Sequence, residues 1–164
     1  MPKIIKMTLS TSSIKDAIAE LKSFKASLEQ KKNKMLEKLA NIGLREASIR
    51  FTTAMYDGVN DSHVTLKPID NGYAIMAEGH AVAFIEFGAG VYHNSGEPYP
   101  NPRPDGIVGI GEYGKGYGKR NTWVFRDEAG EKVFTHGNPA AMPMWYASEE
   151  MRSKITQIAR EVFG

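Results

Sequence analysis

The chain has 164 residues, of which 41% are hydrophobic and 24% charged, and its formal net charge is +2. This length predicts a single domain over residues 1–164 with room for a hydrophobic core. The absence of cysteine excludes disulfides, thiol nucleophiles and thiolate metal sites. No apolar run reaches the roughly 18 residues of a membrane span, and the first residues lack the pattern of a signal peptide. We therefore expect a protein that is made in the cytoplasm and does not enter a membrane.

The charge is unevenly distributed along the chain. Residues 1–50 carry eleven lysines and arginines against five acidic residues, an excess of six positive charges. Such an excess is typical of a surface that meets phosphates or an acidic protein, and equally of a solvated helix face. The sequence leaves these interpretations open.

The first third of the chain has the pattern of a long helix. Residues 10–13 offer a serine N-cap, and apolar residues then recur at helical spacing from Ile14 to Met55. Because no proline interrupts this stretch, we predict one long helix, or two in close succession, ending near Asp57 and Gly58.

The middle of the chain changes to the alternating pattern of strands. Residues 63–69 and 73–79 alternate on either side of Asp70-Asn71-Gly72, in which Asn-Gly suits the type I′ turn of a hairpin. The next segment, residues 80–90, is densely apolar and fits either a buried strand or a short helix. Its pattern alone does not distinguish the two.

A second hairpin and a closing helix are predicted near the end. Residues 121–126 and 132–137 are short aromatic and β-branched segments joined by a polar turn. Pro143 suits a first helical turn, and an apolar stripe follows it. The fold class is therefore α+β: a long N-terminal helix, a small antiparallel sheet built from two hairpins, and a C-terminal helix.

Residues 88–121 hold nine of the 16 glycines and predict a long surface loop. Gly109, Gly111 and Gly114 in this loop fit the G-x-G-x-x-G spacing of nucleotide-binding loops. The context does not fit, because prolines precede the glycines and no helix is predicted to begin within them. We expect no nucleotide and no other cofactor.

Catalytic and metal-binding patterns are missing from the sequence. The four histidines include no pair at helical i, i+4 spacing, and no strained nucleophile turn is found, so we expect no metal site and no catalytic residues. The scattered His, Lys, Arg and Glu leave one alternative, a nucleic-acid-binding protein or small basic ribonuclease. Aromatic and basic residues also alternate in the loop, which suits single-stranded nucleic acid or an adaptable protein interface: Tyr113, Lys115, Tyr117, Lys119 and Arg120.

Two segments together resemble one family. "VAFIEFGAG" (residues 82–90) resembles the apolar-aromatic-Glu-Phe-Gly-x-Gly segment of the neck or tail-completion proteins of long-tailed bacteriophages. "VFTHGNPAAMPMWYAS" (residues 133–148) resembles that family's Thr-x-Gly-x-Pro-Ala-x-Pro segment, which leads into the last helix. Both segments occur in the family's order, so the resemblance covers most of the chain.

The resemblance implies a non-enzymatic structural protein of a phage or prophage virion that acts at the head–tail junction in tail completion. It implies a homo-oligomeric ring around the DNA channel, expected to be a hexamer, with other phage neck and tail proteins as partners. The protein would be made in the bacterial cytoplasm and reside in the virion neck or tail. The resemblance does not extend to the loop. From its composition we expect the glycine-rich loop to meet a neighbouring subunit or neck component, and Lys115, Lys119 and Arg120 could equally contact DNA phosphates in a channel.

The motif residues are expected to have structural or interface roles. These candidates are Glu86, Phe87, Gly88, Gly90, Thr135, Gly137 and Pro139. A buried Glu86 needs a partner, which is either nearby backbone amides or a Lys or Arg of the next subunit. The alternative is a Glu86 that faces solvent at a strand end. We expect Gly137 and Pro139 to set the corner between sheet and helix, with Thr135 bonding backbone across it.

Overall fold

The computed structural model describes residues 4–56, 58–88, 123–127, 129–135, 137–138 and 140–164. In chain order the elements are α1 (Thr11–Thr53), β1 (His63–Ile69), β2 (Gly72–Glu78), α2 (Val82–Phe87), β3 (Trp123–Arg126), β4 (Lys132–Thr135) and α3 (Pro143–Phe163). The predicted α+β fold, with a long N-terminal helix and a C-terminal helix, is confirmed.

Helix α1 is continuous over 43 residues. The predicted serine cap is Ser10, whose side chain accepts a hydrogen bond from the backbone N–H of Ser13 at 3.3 Å. The helix ends at Thr53, a few residues before the predicted end, because Ala54 takes an extended conformation. The side chain of Asn60 donates to the carbonyl of Phe51 at 2.8 Å, which satisfies one of the last-turn carbonyls.

Helix α3 runs antiparallel along the second half of α1. Phe163 lies beside Lys31, and the ring of Tyr146 lies 3.9 Å below the guanidinium of Arg50. Gly43 lies where α1 meets both α3 and β2. A Cβ at Gly43 would lie 2.5 Å from Ile75 Cδ1 and 2.6 Å from Met151 Sδ, so the glycine permits this close approach.

The strands form two antiparallel hairpins, as predicted. In the first hairpin Ile69 pairs with Gly72, so the turn is Asp70-Asn71 and Gly72 already belongs to β2. The predicted connection, Asp70-Asn71-Gly72, is therefore shorter by one residue. The predicted type I′ turn is wrong, because none of these three residues has the positive φ that this turn requires. Within the described parts of the chain, β1–β2 and β3–β4 are separate two-stranded sheets and do not join into one.

The apolar segment after β2 forms the short helix α2, so of the two predicted alternatives the helix is correct. Asp61 holds the start of this helix from the preceding loop. Its Oδ2 accepts from the backbone N–H of His80 at 2.8 Å, and its Oδ1 from that of Ala81 at 2.9 Å. His80 Nδ1 lies 2.9 Å from the same Oδ2. These hydrogen bonds hold the pKa of Asp61 well below its usual range.

The core lies where the end of α1, the first hairpin, α2 and the start of α3 meet. Phe51, Ala81 and Ile85 are fully buried there, and partly buried side chains from the surrounding elements pack against them. These include Val64 and Met144. Helix α2 therefore sits at the centre of the fold although it is only six residues long.

We expect the substitution Asp61→Asn to destabilise the protein at neutral pH, because the carboxylate accepts bonds at the start of α2. The folded-state pKa of Asp61 is lower than its unfolded value of about 4. The stabilisation is therefore present above about pH 4 and is lost as the pH falls below it. Urea unfolding of both proteins across this range should show a difference that shrinks in acid. A difference that stays constant from neutral to strongly acidic pH would contradict this role.

Candidate functional site

The described parts of the two segments that carry the family resemblance lie against each other in the structure. Glu86 in α2 is buried, with 4% of its surface exposed, and its carboxylate reaches the start of α3. Oε2 accepts from the backbone N–H of Met144 at 2.8 Å, and Oε1 from that of Trp145 at 3.1 Å. First-turn N–H groups have no partner inside their own helix. Glu86 therefore caps α3 from a different helix.

The start of α3 depends on this outside carboxylate. Its N-cap residue, Met142, makes no side-chain capping bond, and the first turn contains no acidic residue. A negative charge at a helix N-terminus is stabilised by the helix dipole, by up to about 2 kcal/mol in partly buried geometries. Glu86 supplies the first turn of α3 with both hydrogen-bond acceptors and a negative charge.

The segment before α3 returns hydrogen bonds to α2. The side chain of Asn138 donates to the carbonyl of Phe84 at 2.8 Å, and the backbone N–H of Ala141 donates to that of Ile85 at 2.9 Å. Carbonyls in the last turn of a helix otherwise lack intrahelical donors. We call the contact of residues 82–88 with residues 137–138 and 140–145 the motif junction. In the motif junction α2 accepts hydrogen bonds from the first turn of α3 and from the segment before it.

Gly88 closes the motif junction at the end of α2. Its φ is +75°, a conformation that L side chains rarely adopt. A Cβ at this position would lie 2.7 Å from the backbone nitrogen of Ala140 and 3.1 Å from the carbonyl oxygen of Asn138. Glycine is thus required both by its own backbone and by the neighbouring chain.

Met142 has a left-handed backbone conformation, with φ 50° and ψ 46°. This conformation is unfavourable for a non-glycine residue, by about 1–2 kcal/mol. The side chain is buried, with 8% exposed. The contacts of the motif junction hold the backbone on both sides of it. Neither Met142 nor Asn138 was predicted as a site residue.

The remaining predicted site residues lie close to the motif junction or outside the described residues. Phe87 is buried. Thr135 Oγ1 accepts from the backbone N–H of Gly137 at 2.9 Å, and Gly137 has φ +82°. Gly90, Pro139 and the loop residues Tyr113, Lys115, Tyr117, Lys119 and Arg120 lie outside the described residues.

The site contains polar groups that are engaged with backbone. The predicted alternative of a Glu86 that faces solvent at a strand end is wrong, because Glu86 is buried in a helix. The partners of the buried Glu86 include backbone amides, as the other prediction allowed. Among the residues that the structure describes, no group of three or more His, Asp and Glu side chains has the placement to hold a metal ion. None of the described helices combines the length and apolar character that crossing a bilayer requires.

Comparisons with known proteins give no match. No protein-family model matches the chain, and no match was found among curated proteins or solved structures. The function of the chain is therefore inferred from its residues and their contacts.

We expect Glu86→Ala to lower the free energy of unfolding by about 1–3 kcal/mol, because the N–H groups of Met144 and Trp145 lose their acceptor. Glu86→Gln keeps one acceptor oxygen and should cost less. Denaturant unfolding measures both. The control is Glu149→Ala, which removes a surface pair with Arg152 and should cost less than about 1 kcal/mol. Equal losses for Glu86→Ala and the control would contradict the capping role.

Gly88 has a matched control in Gly130, which also has positive φ (+81°) but open space where a Cβ would lie. Gly88→Ala adds a close contact with Ala140 to a backbone strain of about 1–3 kcal/mol. Gly130→Ala adds only strain. Thermal unfolding should therefore show a clearly larger loss for Gly88→Ala. If both alanine variants melt at the same temperature, the close approach at Gly88 is not important for stability.

Proposed function

We propose that this chain is a non-enzymatic structural protein of a phage or prophage virion that acts at the head–tail junction in tail completion. The observation that carries the proposal is the motif junction. Glu86 and the amides it binds are 58 and 59 residues apart in sequence, yet they meet directly in the fold. The two segments each resemble the same family, and they also contact each other in the fold. This contact supports the interpretation that the two resemblances belong to one structural feature.

The chemistry of the motif junction also supports a structural role. The carboxylate of Glu86 binds backbone amides, the amide of Asn138 binds a backbone carbonyl, and the hydroxyl of Thr135 binds the N–H of Gly137. Side chains used in this way fix the direction of the chain. They hold the start of α3 against α2.

The proposed partners are further copies of the chain, in a ring expected to contain six, and other phage neck and tail proteins. We propose that the loop containing Lys115, Lys119 and Arg120 meets a neighbouring subunit or the DNA.

A second candidate function is a nucleic-acid-binding protein or small basic ribonuclease. The observation that favours it is the exposure of lysines along the first half of α1, among them Lys15, Lys22 and Lys25. Binding to phosphates is steeply salt-dependent. A salt titration with oligonucleotides therefore separates this candidate from the first.

The test of the proposed function is removal of the gene from an inducible prophage that carries it. We expect filled heads and separate tails by electron microscopy and a fall in infectious titre of several orders of magnitude. A plasmid copy of the gene should restore infectivity. The Glu149→Ala copy should restore it as well, whereas the Glu86→Ala copy should restore less. Normal joined, infectious particles after the deletion would contradict the proposal.

A further inference from the structure

The first half of α1 extends past the helix that packs against it. The last turn of α3 lies beside Lys31, where the ring of Phe163 is 5.9 Å from the ammonium group. Residues 11–34 of α1, which we call the α1 arm, therefore lie at or beyond the end of α3. At 1.5 Å per residue the arm is about 36 Å long. Most of the stability of such helices comes from packing of an apolar face.

The α1 arm carries an exposed apolar stripe. The alternating four- and three-residue spacing of a coiled-coil seam runs from residue 14 to residue 28, with Lys25 at the position between Leu21 and Leu28. The apolar members of this seam are 37–54% exposed: Ile14, Ile18, Leu21 and Leu28. We call these four residues the arm stripe. A seam of this kind is normally covered by another helix, and its spacing fits a helix of the same type.

We propose that the arm stripe packs against the arm stripe of a second copy of the chain, with the two arms antiparallel. The charge along the arm supports this pairing. Residues 11–20 carry one lysine and two acids, a net charge of −1. Residues 21–34 carry five lysines and one acid, a net charge of +4. Antiparallel arms place the acidic end of each beside the basic end of the other.

The parallel arrangement is unfavourable for the same reason. It brings the two +4 regions together and places Lys25 of one copy against Lys25 of the other, within the seam. It also aligns the two helix dipoles in the same direction, whereas antiparallel helices oppose them favourably. The seam spacing thus favours a second copy of the arm as the partner, and the charge gradient favours the antiparallel orientation.

This contact does not depend on the proposed virion function. An antiparallel pair has two-fold symmetry and closes on itself, whereas the contacts of a ring are head-to-tail. An experiment can therefore disprove the antiparallel pairing without affecting the proposed virion function. An experiment that disproves the virion function likewise leaves the pairing untouched.

Cross-linking tests the orientation, and the cysteine-free sequence makes single-cysteine variants unambiguous. Antiparallel arms centred near Leu21 bring Leu21→Cys close to its counterpart. They keep Ile14→Cys about 21 Å or more from its own copy and close to Leu28→Cys. Mild oxidation should therefore link Leu21→Cys with itself and differently tagged Ile14→Cys with Leu28→Cys. Ile14→Cys alone should stay unlinked. Self-linking of Ile14→Cys as efficient as that of Leu21→Cys would overturn the antiparallel pairing.

Sedimentation equilibrium of the full chain tests the pairing itself. The wild type should show a monomer–dimer equilibrium, and Leu21→Glu should raise its dissociation constant by more than about tenfold. The matched control is Ser23→Glu, which adds the same charge to an exposed position on the opposite side of the helix. It should leave dimerisation nearly unchanged. A wild type that stays monomeric at high micromolar concentration, or a dimer that Leu21→Glu does not weaken, would overturn the proposal.

Discussion

The carboxylate of Glu86 is buried between two helices, and burial of a charge is strongly unfavourable unless hydrogen bonds compensate for it. The compensation comes from the first-turn N–H groups of α3, which themselves lack acceptors in their own helix. The buried carboxylate thus gains donors, and the first-turn N–H groups gain acceptors. Helix α3 also packs along the second half of α1, so this interaction connects the α1–α3 pair to the core around Ile85.

The sequence predicted those parts of the fold that local pattern determines. The helical period of α1, the alternation in the two hairpins and the apolar stripe of α3 were sufficient to predict these elements. The segment around Ile85 fitted helix or strand, since six apolar residues satisfy both patterns and packing decides between them. The need of Glu86 for a partner could be inferred from its apolar neighbours. The identity of that partner could not, because Met144 and Trp145 lie 58 and 59 residues further on. No sequence signal indicates the left-handed backbone of Met142, since methionine does not favour it.

Two different surfaces carry the functional proposals. The motif junction faces inward, and its side chains fix the direction of α3. The arm stripe is 37–54% exposed, although Ala17 beside it is buried, and the rest of α1 packs against α3 and the first hairpin. An exposed apolar stripe on an extended helix is suited to contact with another chain.

Native-state hydrogen exchange of the Met144 and Trp145 amides tests the central claim most directly. If Glu86 caps α3, both amides should be protected to nearly the same extent as the core of α3, for example Ala147, although they lie in the first turn. In Glu86→Gln at least one of the two should exchange markedly faster. Rapid exchange of both amides in the wild type, at the rate of a frayed helix end, would contradict the account.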